Sequence, residues 1–83
     1  MLIKVKTNVN SNYEINYLQY GILKKTLRKQ FKNNGGKLLK MKYSEGSYYI
    51  SINTSKNDYA IFLAVLEKYL TLFELRVIDK VIK

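Results

Sequence analysis

Lysine and tyrosine are the side chains of this sequence whose types and spacing could bind a partner. Lys4 and Lys6 alternate with apolar residues near the start of the chain, and Lys40 and Lys42 do so further along. Tyr49 takes a polar position in the segment that follows. Ammonium groups neutralise phosphates and a tyrosine ring stacks on any base, so this combination is typical of surfaces that bind single-stranded nucleic acid.

A second group of cations has helical spacing. Lys25, Arg28, Lys29 and Lys32 recur at steps of three and four residues, so on a helix they share one flank. Like charges at this spacing repel each other, and an anionic partner would relieve the repulsion. Helix faces that contact only water carry the same pattern, so the sequence leaves both interpretations open.

The overall charge agrees with an anionic partner. The 83 residues include 15 Lys and Arg against six Asp and Glu, which gives a formal net charge of +9. A field of this sign attracts nucleic acid or an acidic protein surface. A high net charge that serves only solubility is the alternative.

Enzymatic chemistry finds little support in the composition. The sequence has no histidine and no cysteine, so the usual base near neutral pH and the thiolate nucleophile are both missing. The six carboxylates form no motif with a mechanism. We therefore expect a protein that is not an enzyme and that has no metal site and no cofactor.

Several features bear on location. Cysteine is absent, which suits a reducing compartment, and the first residues lack the apolar core of a secretory signal. The longest wholly apolar run, residues 60–66, is far too short to span a membrane. We expect a cytoplasmic protein with no membrane span.

Periodicity indicates the elements that position these side chains. Alternation around Ile3 and Val5 predicts a strand, and a first helix is expected from about residue 12 to residue 33, with Ser11 and Glu14 as its capping pair. A hairpin follows, in which Leu39, Met41 and Tyr43 share one side and Glu45-Gly46 forms the turn. Tyr43 should then face Tyr48, and Met41 should face Ile50.

The second half of the chain predicts another helix and an ambiguous end. Ser55 and Asp58 form a second capping pair before an apolar stripe that includes Phe62, Leu66 and Leu70. Residues 72–83 are compatible with an edge strand or with a longer helix; alternation from Phe73 favours the strand. The order is βαββα(β), the split βαβ pattern of ferredoxin-like domains. We expect one α+β domain, residues 1–83, a two-layer sandwich with both helices on one face of an antiparallel sheet.

In that fold the other face of the sheet is open. It should present the lysines at positions 4, 6, 40 and 42 together with Tyr49 and Ser51, and a last strand would add Arg76 and Lys80. This arrangement resembles an RNA-recognition motif in outline, without the glycine-and-aromatic signature of its third strand. Because the first strand also offers lysines in place of an aromatic ring, base-specific readout is not expected.

Each helix also has a second apolar row that a two-layer core does not need. These residues predict an interface for self-association as a homodimer or for a dedicated protein partner: Ile15, Leu18, Ile22, Ile61, Val65 and Leu72. The leading interpretation is a non-catalytic protein that contacts RNA or DNA through phosphates. The alternative is a small protein–protein interaction module or inhibitor that docks on a larger protein or nucleoprotein machine, such as one from a phage or mobile element.

Overall fold

The computed structural model of the chain describes residues 1–9, 17–55 and 59–83. Within them the elements are β1 (Leu2–Thr7), α1 (Tyr17–Asn33), β2 (Lys37–Ser44), β3 (Ser47–Asn53), α2 (Tyr59–Thr71) and β4 (Val77–Ile82). The predicted capping pair Ser11 and Glu14 lies outside the described residues, as do the helix start near residue 12 and Asp58.

The strands form one antiparallel sheet in the order β2-β3-β1-β4. Because β1 and β2 both run antiparallel to β3, they run parallel to each other with β3 between them. The predicted α+β class, with an antiparallel sheet and two helices, is confirmed. No helix in the described ranges has the length and apolar character needed to cross a membrane.

The β2–β3 hairpin has the predicted turn and register. Glu45 and Gly46 both have positive φ, 52° and 84°, which is typical of the type I′ turn that matches the twist of paired strands. Tyr43 pairs with Tyr48, as the alternation predicted. Near the turn, this register therefore determines which side chains of β2 face the core.

The start of β2 differs from the prediction. The register shifts between Leu38 and Lys40, so this part of the strand contains an irregularity of the bulge type. Leu38 is 6% exposed, whereas Leu39 is 48% exposed. The expectation that Leu39 faces the core is wrong, because the bulge reverses the alternation on its N-terminal side.

The core lies between one face of the sheet and both helices. Ile3, Val5, Ile50 and Ile52 form its sheet side and are at most 3% exposed. The helices contribute Leu23, Leu27, Phe31, Phe62, Leu66 and Leu70, and Phe31 and Phe62 have ring centres 5.4 Å apart. Because one apolar cluster joins all these residues, the opposite face of the sheet is left to contact solvent or a partner.

Both helices end in the same way. After α1, Gly35 has a φ of 83°, and the Gly36 N–H donates to the Phe31 carbonyl at 2.8 Å, as in a Schellman motif. After α2, Glu74 takes the equivalent left-handed position with a φ of 59°, and the Leu75 N–H donates to the Leu70 carbonyl at 3.0 Å.

This second helix end corrects the predicted start of the last strand. Phe73 to Arg76 belong to the helix terminus and the connection that follows it, and the strand begins only at Val77. The prediction of a strand in this part of the chain is confirmed for residues 77–82.

Candidate nucleic-acid interface

The outer face of the sheet brings together predicted basic residues of β1 and β2 around two polar residues of β3. Lys4 pairs with Ser51 and Lys6 with Tyr49 across β1 and β3, while Lys40 and Lys42 pair with the same two residues from β2. Residues paired directly across antiparallel strands project to the same side. Tyr49 and Ser51 therefore each have a lysine on both neighbouring strands.

These side chains line one open cavity of about 360 Å³. Its lining contains Lys4, Lys6, Lys40, Lys42 and Tyr49, with Ser51 between them. Tyr49 is 40% exposed, so part of its ring is available to a partner while the rest packs against the sheet surface. The structure thus brings together five of the nine residues predicted to bind nucleic acid.

Lys6 and Tyr49 have a defined relationship within this cavity. The Lys6 ammonium lies 5.6 Å from the centre of the Tyr49 ring, within the range of a cation–π interaction. The pair places a positive charge next to an aromatic face.

The contribution of β4 to this face differs from the expectation. Val81 pairs with Lys4, and Asp79 pairs with Lys6, so both project to the outer face and line the cavity. Lys80 pairs with the core residue Val5 and lies on the helix side, and Arg76 precedes the strand. The expectation that Arg76 and Lys80 extend the basic face is wrong for Lys80, because a register shift at Ile78, between Val77 on the helix side and Asp79 on the outer face, reverses the alternation of β4.

Buried contacts on the helix side hold Tyr49 in place through its neighbour. The Tyr48 N–H donates to the Thr7 hydroxyl at 2.8 Å, and Thr7 is fully buried. The Tyr48 ring stacks on Tyr20 at 5.8 Å and contacts Tyr43 at 5.0 Å. Burial, followed by the neighbouring Tyr43 and Tyr20, raises the pKa of Tyr48 to about 12.

The predicted helix flank is divided by the structure. Lys25, Arg28, Lys29 and Lys32 are all exposed on α1. Arg28 and Lys32 line a second cavity of about 340 Å³ together with Lys37, Gly36 and Leu38, whereas Lys25 and Lys29 are not part of it. Lys37 was not predicted as a binding residue, because its place beside α1 depends on the path of the chain through Gly35 and Gly36.

The predicted protein-interface residues occupy the helix layer. Leu18, Ile22, Ile61 and Leu72 are 72%, 55%, 49% and 70% exposed. Val65 is half-buried and packs against the core, so it does not belong to the exposed row. Ile15 lies outside the described residues.

Neither cavity contains a group of acids typical of a metal site. In the described ranges, no three His, Cys, Asp or Glu side chains come together in a way that could hold a metal ion. Comparison of the chain with protein-family models, with curated proteins and with solved structures finds no match. The geometry of the chain itself therefore carries the functional proposal.

Proposed function

We propose that this chain is a non-catalytic protein that binds RNA or DNA through phosphate contacts from the outer face of its sheet. The observation that carries the proposal is the cavity in which four lysines from β1 and β2 surround Tyr49. Four ammonium groups meet one acid there, Asp79, so the local charge is positive. A polyanion with aromatic bases matches both features of the surface.

Single-stranded nucleic acid is the preferred ligand in this proposal. The cavity is open, and a base can stack on the Tyr49 ring only after it has left the stack of its neighbouring bases. Single strands allow this, whereas a duplex does not. The lysines project from β1 and β2, which lie on either side of β3. A single-stranded nucleic acid that crosses the sheet would therefore meet positive charges on both sides of Tyr49. The contacts use phosphates and one ring, so we expect little sequence preference.

A charge-matched pair of variants tests this site. We expect Lys40→Glu with Lys42→Glu to abolish binding to a fluorescent oligothymidylate or oligouridylate, and to leave the fold intact because both side chains are exposed. The control is Lys25→Glu with Lys29→Glu, which makes the same charge change on exposed α1 positions outside both cavities described above. Anisotropy at several salt concentrations gives the number of phosphates contacted, since log K falls by about 0.7 per phosphate for each unit of log salt concentration.

The results separate three cases. Loss of binding in the sheet variant alone supports the proposed site. Loss in the α1 variant alone moves the site to the helix flank. A wild-type chain that binds no oligonucleotide at low salt contradicts the nucleic-acid function altogether.

We further propose that the chain adopts the ferredoxin-like fold. The element order βαββαβ supports this, and so does the strand order, which is β4-β1-β3-β2 when viewed from the other edge. Cross-strand contacts between Ile3 and Ile52 and between Lys4 and Val81, measured by NMR, test it. A helix anywhere in residues 37–53 would contradict it. A cytoplasmic location remains part of the proposal on the sequence grounds given above.

The second candidate function is that of a protein–protein interaction module, such as one from a phage or mobile element. Its support is the exposed apolar surface of the helix layer. Phe31 near the end of α1 contacts Phe62 near the start of α2, so the helices run antiparallel and Leu18 and Leu72 lie toward the same end. Contiguous exposed apolar surface marks an interface more often than not.

Affinity capture from the native cell with and without nuclease tests this alternative. A partner that stays bound after nuclease treatment and at high salt, and that is lost in an Ile22→Glu variant, favours the protein module. The partner of the leading proposal would instead be released by both treatments.

A further inference from the structure

The two edges of the sheet differ in how well they are protected from pairing with another chain. The β2 edge has an irregular register at Leu38–Lys40 and carries lysines at positions 37, 40 and 42, features that block edge-to-edge association. The β4 edge, with the sequence VIDKVI, also contains a register shift, at Ile78, but its pairing with β1 is regular from Asp79 to Ile82. Ile78, Val81 and Ile82 are 51%, 45% and 39% exposed. β4 is paired with β1 and with no other strand in the described ranges.

The backbone of β4 shows which groups remain free at this edge. Leu2 and Lys83 exchange both of their backbone hydrogen bonds, at 3.0 and 2.8 Å. In an antiparallel pair, hydrogen-bonded and non-hydrogen-bonded positions alternate, so Val81 and Asp79 also direct their N–H and C=O groups toward β1. Lys80 and Ile82 therefore direct theirs away from β1, toward the free edge.

We propose that the β4 edge pairs with the β4 edge of a second copy of this chain. When a two-fold axis perpendicular to the sheet relates two adjacent antiparallel strands, the outer faces of both copies lie on the same side. Each residue must then pair with a residue of the same face in the second copy. The symmetric registers can then be compared by the charges that they place opposite each other. Like charges directly opposite destabilise a strand pair, and opposite charges stabilise it.

Among the registers centred within β4, one pairs residues of the strand without placing like charges opposite each other. Centring the axis on Asp79 or on Lys80 pairs that residue with itself, and centring it on Ile78 places Arg76 opposite Lys80 of the second copy. Centring it on Val81 pairs this valine with itself and places Asp79 opposite Lys83 of the second copy. In that register Lys80 and Ile82, whose backbone groups are free, bond to each other across the axis.

The assembly would join two four-stranded sheets into one continuous sheet. The outer faces of both copies would lie on the same side, so the basic cavities would become parts of one surface. Asp79, the acid beside Lys6, would be paired with a lysine of the second copy. This inference does not depend on nucleic-acid binding, because it rests on the edge of β4 alone.

A proline substitution tests the backbone part of this proposal. Lys80→Pro removes an N–H that points to the free edge and leaves the hydrogen bonds between β1 and β4, and proline is tolerated on edge strands. We expect this variant to weaken dimerisation of the full chain by about tenfold or more in sedimentation equilibrium, because the hydrogen bonds of that N–H are lost at two symmetric sites. Lys80→Ala keeps the N–H, and it should dimerise as the wild type does.

A charge exchange tests the register without altering the backbone. Asp79→Lys and Lys83→Asp should each weaken the dimer, and the double variant should restore it, because the two residues face each other only across the axis. Circular dichroism checks that each variant is folded, and if Lys80→Pro does not fold, the charge exchange decides.

Three results would overturn the proposal. The first is a wild type that is monomeric at high concentration, and the second is a dimer whose affinity is unchanged in the folded Lys80→Pro and charge-exchange variants. The third is a dimer that is abolished by Ile22→Glu instead.

Discussion

The ammonium group of Lys6 on β1 lies 5.6 Å from the centre of the Tyr49 ring on the neighbouring strand β3. Lys6 and Tyr49 are direct register partners, so the contact is set by the pairing of β1 with β3. In the proposed function, the base and the phosphate of one nucleotide would contact this ring and this charge, which lie at adjacent positions.

Removing the ring should therefore weaken binding to single strands. We expect Tyr49→Ala to cost about 1–3 kcal/mol in oligonucleotide affinity, as base–aromatic stacking does elsewhere, while Tyr49→Phe keeps most of it. Tyr59→Ala is a matched control, because Tyr59 on α2 is 39% exposed and Tyr49 is 40% exposed. Equal affinity of the Tyr49→Ala variant and the wild type in fluorescence titration would exclude stacking at this position.

Two glycines predict opposite effects of the same substitution. A Cβ on Gly36 would collide with the Phe62 ring, whereas a Cβ on Gly21 meets no atom within 4 Å. We expect Gly36→Ala to destabilise the fold by about 1–3 kcal/mol through overpacking. Gly21→Ala in the exposed middle of α1 should stabilise it by about 0.5–1 kcal/mol. Urea unfolding of the two variants measures both, and a stabilised Gly36→Ala variant would contradict the packing described for Phe62.

Tyr48 should make stability depend on alkaline pH. Burial raises the pKa of Tyr48 from the ordinary tyrosine value of 10.0 to about 12, so the neutral ring is favoured in the folded chain. The stabilisation is complete below pH 10 and is lost between about pH 10 and about pH 12, as the folded group titrates. Tyr48→Phe keeps the ring and removes this titration.

The measurement is the difference in unfolding free energy between wild type and Tyr48→Phe across that range, which cancels the other groups. We expect the difference to shift in favour of the phenylalanine variant as the pH rises. A constant difference would mean that Tyr48 ionises as easily in the folded chain as in the unfolded one.

The hairpin turn offers a gain in stability. Glu45 has a φ of 52°, a conformation that asparagine adopts more readily than glutamate, and Asn-Gly is a preferred type I′ pair. We expect Glu45→Asn to stabilise the protein by a few tenths of a kcal/mol to about 1 kcal/mol. Thermal unfolding checks the sign, with Glu45→Ala as the control that removes the carboxylate without favouring positive φ.

Local pattern was sufficient for the hairpin and for the helix faces. The turn at Glu45-Gly46 and the pairing of Met41 with Ile50 could be predicted because side chains alternate strictly and only one register keeps both apolar sets together. The same holds for Leu23, Leu27 and Phe31 on α1 and for Phe62, Leu66 and Leu70 on α2, whose 3.6-residue period defines one buried stripe. The lysines of β1 and β2 followed from this alternation.

Only the tertiary structure decided the two edges of the sheet. Leu38 instead of Leu39 faces the core because a register shift, which costs little locally, fits β2 against β3. Asp79 instead of Lys80 joins the outer face because Val77 keeps the helix-side position opposite Thr7 and a register shift at Ile78 then reverses the alternation of β4. Alternation within a segment shows which residues share a side, but the neighbouring strand determines which side faces the core.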